Sequence, residues 1–273
     1  MRDLKNIEDI VHLYDAFILD LWGVVHDGHT PFPDVIPTLQ ELRRAKRKVW
    51  LLSNVPRRAE SVITHLDSMG VTADLYDGIM TSGEATHAAL KNEFLPAWGR
   101  RCFCMDDQSD PSIMADLDVT MAKGPEEADF IYMSDSPDMT QPPESFRPVL
   151  EAAQKRGLPF VCPNPDRVVH VGDTLYYCPG SYAELYESLG GTVHWFGKPY
   201  RAVYSHLLAQ MGGADLKILA IGDGMPTDIA GAAGMGLDSA LVTTGIHRDD
   251  PMTPDFFAKY PFKPMFLMDK LNW

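Results

Sequence analysis

The feature that most constrains this chain is a recurring pair: a short, apolar run and the polar residue that ends it. Ala16-Phe-Ile-Leu runs into Asp20, Lys48-Val-Trp-Leu-Leu into Ser53, and Leu216-Lys-Ile-Leu-Ala-Ile-Gly222 into Asp223. Runs apolar on successive residues read as strands covered on both faces, the situation of a parallel sheet between helices. The intervening stretches agree. Residues 34–45 place Val35, Ile36, Leu39 and Leu42 at helical spacing, and 57–69 read as a helix stopped by Gly70. A helix is expected to begin over 229–233, and Leu237-Asp-Ser-Ala-Leu-Val-Thr243 reads as a further strand. Alternating strands and helices of this kind predict an α/β fold.

The middle of the chain differs. It carries a Pro- and Asp-rich segment, Ser134-Asp-Ser-Pro-Asp-Met-Thr-Gln-Pro-Pro143, with its own strands at Phe130-Ile-Tyr-Met133 and Pro159-Phe-Val-Cys162 and a helix around 146–156. Residues 80–193 therefore read as a second α/β unit inserted into the first, leaving 1–79 and 194–273 as one discontinuous domain. Small residues at Thr81-Ser-Gly83 and across 191–197 mark the expected hinge. Closing the insert over the strand ends would exclude water from a pocket there.

Composition narrows the function. With 24 Lys and Arg against 38 Asp and Glu, the formal charge is −14, which argues against a nucleic-acid binder. No apolar run approaches a membrane span, and the N-terminus does not read as a signal peptide. Four cysteines in 273 residues are no disulfide framework, so a reduced, cytoplasmic protein is the expectation.

Ligands of an open parallel sheet sit beyond the carboxyl ends of its strands. Four polar groups are expected at such ends: Asp20, Ser53, Lys198 and Asp223. A carboxylate can attack phosphorus and form an acyl phosphate, but it repels a phosphate dianion unless positive charge intervenes. Mg²⁺ held by Asp20 and Asp223 would supply part of that charge, and Lys198 the rest. Ser53 and the amide of Asn54 could hold non-bridging phosphate oxygens.

These residues, in this order, resemble the haloacid dehalogenase (HAD) superfamily, and more narrowly its class IIA, NagD-like sugar-phosphatase and nitrophenylphosphatase group. The matching pieces are Phe17-Ile-Leu-Asp-Leu-Trp-Gly-Val-Val25, Leu51-Leu-Ser-Asn54, Ile79-Met-Thr-Ser82, Pro163-Asn-Pro-Asp-Arg167, Gly197-Lys-Pro199, and Gly222-Asp223 with Thr227-Asp-Ile-Ala-Gly-Ala232. The resemblance implies a Rossmann-like core with a parallel sheet and an inserted α/β cap of the C2 type. It implies that Asp20 is the nucleophile and a Mg²⁺ ligand, that the main-chain carbonyl of Trp22 also binds the metal, that Asp223 ligates it, and that Asp228 supports it directly or through water. Ser53 and Lys198 would bind the phosphoryl group. One position departs from the family. Its first motif is normally Asp-x-Asp, and the second Asp protonates the leaving oxygen and later activates water. Here the motif is Asp20-Leu-Trp22, and indole offers no acid or base at neutral pH.

The same residues admit plainer roles. Ser53-Asn54 fits strand-to-helix turn chemistry. His26 and Asp27 could replace the missing acid, although a structural turn accounts for them as well. Gly222-Asp-Gly-Met-Pro-Thr-Asp228 lacks the third glycine of a dinucleotide-binding turn. Cys102 and Cys104 read as neighbours on one face of a strand, Asn164-Pro-Asp166 fits turn chemistry, Arg57-Arg58 reads as the solvated start of a helix, and Trp195-Phe196 as core. The expected function is that of a Mg²⁺-dependent phosphohydrolase acting on a small, sugar-phosphate-like metabolite, slow for want of its acid. The alternative is a protein that binds a phosphorylated ligand without efficient turnover. Neither nucleic acid nor membrane is an expected partner, and a homodimer is left open. Trp22 itself is expected to pack as a large core residue, so that replacing it would cost about 3–5 kcal/mol.

Overall fold

The computed structural model describes residues 1–105, 111–135, 140–171, 174–212 and 215–273. The strands in chain order begin with β1 (Arg2–Asp3), β2 (Ala16–Leu19), β3 (Lys48–Ser53) and β4 (Gly78–Thr81). The middle contains β5 (Arg101–Cys104), β6 (Thr120–Met121), β7 (Phe130–Tyr132), β8 (Pro159–Cys162), β9 (Val168–Val171), β10 (Thr174–Tyr177) and β11 (Thr192–Trp195). The chain closes with β12 (Ile218–Gly222), β13 (Asp238–Val242) and β14 (Phe266–Met268).

The chain divides into two compact units. The first comprises Met1–Ser53, Ala59–Met80 and Lys198–Trp273, and the second Asn54–Arg58 and Thr81–Gly197. The expected boundaries at 79/80 and 193/194 lie one and four residues from these crossings, and the excursion of 54–58 into the second unit has no counterpart in the sequence reading.

The first unit holds a seven-stranded sheet of order β1-β14-β13-β12-β2-β3-β4. β12 pairs in parallel with β2 and with β13, and β2 pairs in parallel with β3. All four residues of β2 and all five of β12 are buried, as central parallel strands require. The helix Val35–Arg44 buries Val35, Thr38, Leu39 and Leu42 and ends with Arg43 and Arg44, which suit the negative end of its dipole. The helix expected over 57–69 spans Ala59–Ser68, and Gly70 follows it with φ of 82°. The helix expected to begin at 229 starts earlier. A π-helical turn, Met225–Ile229, runs into the α-helix Ala230–Met235. Beginning at 225 brings Asp228 back beside the end of β12.

The second unit has a five-stranded sheet of order β11-β8-β7-β5-β6, parallel throughout, and a separate antiparallel hairpin of β9 and β10. Its core includes Ile131, Met133, Leu150, Phe160, Tyr182 and Tyr186. Cys102 is buried and Cys104 partly so, two residues apart on β5. Within the Pro- and Asp-rich segment 134–143, residues 136–139 lie outside the described residues. No helix among the described residues is long and apolar enough to cross a membrane.

Candidate active site

The first unit brings four buried charges together. Asp20 directly follows β2 and Asp223 directly follows β12, and the two strands are hydrogen-bonded neighbours. The amide of Asp20 donates to the carbonyl of Ile221 (2.9 Å), so ladder pairing fixes the two carboxylates side by side. Carboxylate oxygens of Asp20, Asp223 and Asp228 all lie within 4.8 Å of one another. Lys198 Nζ donates to Asp20 Oδ1 (2.5 Å), to Asp228 Oδ1 (2.8 Å) and to the carbonyl of Leu52 (3.3 Å). Ser53 is buried at the end of β3, the next strand along.

Lys198 was expected at the end of a strand of this sheet, and it is not there. The preceding strand, β11, belongs to the second unit's sheet and stops at Trp195, and Lys198 lies in the loop before the helix Arg201–Met211. Its side chain reaches the strand ends of the first sheet from that loop.

Asp228 is held on both oxygens. Oδ2 accepts from the amide of Gly224 (3.1 Å) and the hydroxyl of Thr227 (3.2 Å), while Oδ1 takes Lys198. Gly222 permits this approach, since a Cβ there would lie 2.1 Å from Asp228 Cγ. Asp223 is enclosed by a loop absent from the sequence reading. Ile246 N donates to Asp223 Oδ2 (2.7 Å), and a Cβ on Gly245 would lie 1.7 Å from the same oxygen. His247 Nε2 accepts from the amide of Met225 (3.2 Å), and its Nδ1 faces Asp250 Oδ2 (2.7 Å). One imidazole thus ties the loop after β13 to the turn that carries Asp228. The available signal was Thr243-Thr-Gly-Ile-His247, a glycine-containing run at the end of a strand.

Burial, followed by the charge of Asp228, holds the Asp20 carboxyl well above the usual range, against the opposing pull of Lys198. Burial and Asp228 likewise push Asp223 up to about 6, opposed by the Ile246 amide. Burial alone would lower Lys198, but the charges of Asp20 and Asp228 outweigh it and keep the ammonium protonated. Three carboxylates around one ammonium leave this buried cluster short of positive charge.

Trp22 departs from expectation. Its side chain is 60% exposed, so it is not a core residue and the forecast cost of losing core packing does not apply. His26 is buried. Its Nδ1 accepts from the amide of Gly28 (3.0 Å), and burial, followed by the nearby His65, lowers it to about 4. Asp27 accepts from the amides of His29 (2.9 Å) and Thr30 (2.8 Å), bonds that hold it ionised. Both are turn residues, His26 held as the neutral imidazole and Asp27 as the carboxylate, and neither form is an effective acid at neutral pH.

The remaining candidates lie in the second unit. Asn54 Nδ2 donates to Asp166 Oδ1 (3.5 Å), and Asn164 Oδ1 accepts the amide of Asp166 (3.1 Å). Arg58 was expected to be solvated, yet it pairs with Glu84 (2.9 Å). Phe196 is buried, and Trp195 Nε1 donates to Glu187 (3.0 Å).

Residues 17–120 match the family model of haloacid dehalogenase-like hydrolases, and residues 195–272 match that of HAD-hydrolase-like proteins. A solved hydrolase of the haloacid dehalogenase-like family from Brucella suis is 32% identical, with a TM-score of 0.82, over 98% of this chain and 99% of that one. The chain belongs to the haloacid dehalogenase-like hydrolases. Within them it falls in the NagD-like, class IIA group. It is 27% identical to D-glycerol 3-phosphate phosphatase of Mycobacterium tuberculosis over 88% of its own length and 66% of that protein's. A solved glycerol phosphate phosphatase from the same organism, in complex with magnesium, shares the fold with a TM-score of 0.71 at 24% identity, over 97% of this chain and 77% of that one.

Proposed function

We propose that this hydrolase is a Mg²⁺-dependent phosphatase of small phosphorylated metabolites that works through a phosphoryl group on Asp20. The observation that carries this reading is the convergence of Asp20, Asp223, Asp228 and Lys198 on one buried point at the carboxyl ends of adjacent parallel strands. The donor set fits the metal, because hard carboxylate oxygens and a surplus of negative charge suit Mg²⁺. Asp20, Asp223 and the main-chain carbonyl of Trp22 would hold it, with Asp228 acting directly or through water. When bound, the cation offsets the charge of the phosphoryl group and of the carboxylates around it.

The chain's own residues account for the rest. Lys198 and Ser53 bind phosphoryl oxygens and orient phosphorus toward Asp20. A carboxylate oxygen of Asp20 attacks, the bond from phosphorus to the ester oxygen breaks with its electron pair passing to that oxygen, and the alkoxide or phenolate departs and takes a proton from water. Water then cleaves the acyl phosphate, releasing inorganic phosphate and restoring the carboxylate. Position 22 gives no proton to the leaving oxygen, His26 is neutral with Nδ1 occupied, and Asp27 is ionised. The leaving group therefore departs as a weakly protonated anion. Turnover is slow on alkyl phosphates, including sugar phosphates, and faster on aryl and acyl phosphates, whose anions are more stable. Losing a general acid costs on the order of 10²–10⁴ in rate.

The test is release of inorganic phosphate from aryl, acyl, sugar, glycerol and nucleotide phosphates, with Mg²⁺ and with a chelator. Cation-dependent release that falls as the leaving-group pKa rises is expected, with Trp22→Asp raising the rate on alkyl esters. A flat dependence with fast alkyl hydrolysis would reveal another acid. Binding of the esters without release would favour the alternative, a ligand-binding protein.

A further inference from the structure

Among the described residues, the two most exposed large apolar side chains are Ile246, at 62%, and Trp22, at 60%. Single exposed apolar residues are ordinary and need no explanation. This pair differs in location. Trp22 follows Asp20 by two residues, and Ile246 is the residue whose amide binds Asp223. Their two loops touch. The hydroxyl of Thr244 donates to the carbonyl of Gly23, and a Cβ on Gly23 would lie 2.8 Å from Gly245 Cα. Trp22 and Ile246 are thus the chain neighbours of two glycines, Gly23 and Gly245, whose backbones meet beside Asp223.

The indole is also braced. Its ring lies over Gly28, where a Cβ would come within 2.4 Å of Cη2, and φ of 100° at that residue favours glycine. His26 meets the indole edge-on with ring centroids 5.8 Å apart, and His65 meets His26 edge-on at 6.0 Å. His65 Nε2 also faces the carbonyl of Gly28 (3.3 Å). An exposed aromatic ring held this firmly loses little freedom when a ligand covers it, and that is what makes a rigid aromatic side chain an effective anchor.

We infer that Trp22 and Ile246 form an apolar rim to the phosphoryl site, and that the preferred ligand is a phosphomonoester whose organic part presents a flat aromatic or apolar face next to the phosphate. This rests on the phosphatase reading only for the position of the phosphoryl group. It adds a recognition role to position 22, beyond the loss of an acid there.

Phosphonates separate the two ideas, since their carbon–phosphorus bond is not a leaving group. The experiment is calorimetric binding of phenylphosphonate and methylphosphonate to the full chain with Mg²⁺, for wild type, Trp22→Ala, Trp22→Phe and Ile246→Ala. Wild type should bind phenylphosphonate about tenfold tighter, a ratio within the range of aromatic stacking. The ratio should fall close to one in Trp22→Ala, fall in part in Ile246→Ala, and persist in Trp22→Phe. Equal affinities in wild type, binding of neither probe, or an unchanged ratio in Trp22→Ala would overturn the inference. So would loss of self-association in Trp22→Ala with the ratio intact, which would make the rim a face between chains. Phosphate release without discrimination between the phosphonates would defeat this inference alone. Discrimination without phosphate release would defeat the phosphatase reading alone.

Discussion

The two units contain sheets of the same kind, and among the described residues the ends of their strands differ. Both sheets pack buried parallel strands into an apolar interior. In the first, β2 and β12 run into Asp20 and Asp223, and Lys198 and Asp228 close in beside them. In the second, β5 and β7 run into Met105 and Met133, which join the core, and β8 runs into Pro163 and Asn164, the start of a turn. Cys162 at the end of β8 is a buried thiol that desolvation pushes above its ordinary range, an inert packing group. Among the described residues the first unit alone gathers three carboxylates. Parallel strands supply a place for a site, and the residues that follow them decide whether one exists.

Several substitutions would break or sharpen that contrast. The largest effect on stability is expected from Lys198→Met. Removing the ammonium leaves Asp20 and Asp228 without their buried partner, and losing one side of such a pair costs about 3–5 kcal/mol. Urea unfolding should show that loss, and added Mg²⁺ should recover part of it. A loss that Mg²⁺ cannot reduce would detach the lysine from the cation site. His247→Ala comes next. It strands the Met225 amide that the imidazole accepts, at a cost of about 1–3 kcal/mol. Mg²⁺ affinity should fall with it, because the loops carrying Asp228 and the Ile246 amide lose their tie. Unchanged affinity would make His247 a packing residue only.

A smaller effect is expected from pH. His26 titrates near 6.5 when unfolded and about 4 when folded. Between these values the unfolded chain binds the proton more readily, so stability falls as pH drops from about 6.5 to about 4. Relative to His26→Gln, the wild type should lose stability over that window, and parallel curves would show that the imidazole is solvated. The smallest effect belongs to the second unit. Asn164→Ala removes a local turn bond and should cost about 0.5–1.5 kcal/mol. An abrupt loss of phosphate release there would contradict the contrast between the two sheets.

Much of this was legible in the sequence because parallel strands write themselves as apolar runs. Ala16-Phe-Ile-Leu and Lys48-Val-Trp-Leu-Leu-Ser53 became β2 and β3 at the expected places, and the polar residues ending the runs at 20, 53 and 223 lie at the carboxyl ends of adjacent strands. The placement of Lys198 was not legible, since a lysine that reaches its sheet's strand ends from a loop leaves no periodic trace. The exposure of Trp22 was hidden for a related reason. Its ring is supported by Gly28, six residues on, and a sequence records hydrophobicity without recording what covers it. The loop around Asp223 acts through the amide of Ile246 and the absence of side chain at Gly245, and neither feature depends on a recognisable functional group.

The most direct test of the central claim, that Asp20 takes the phosphoryl group at a centre built with Asp223, Asp228 and Lys198, is peptide mass spectrometry of protein quenched in acid during turnover of an aryl phosphate. Since no acid or base at position 22 speeds breakdown of the acyl phosphate, the adduct should accumulate. The expected result is one phosphoryl group on the peptide containing Asp20, present with Mg²⁺, removed by a chelator and absent in Asp20→Asn. Phosphate release by Asp20→Asn at the wild-type rate, or an adduct on any other residue, would contradict it.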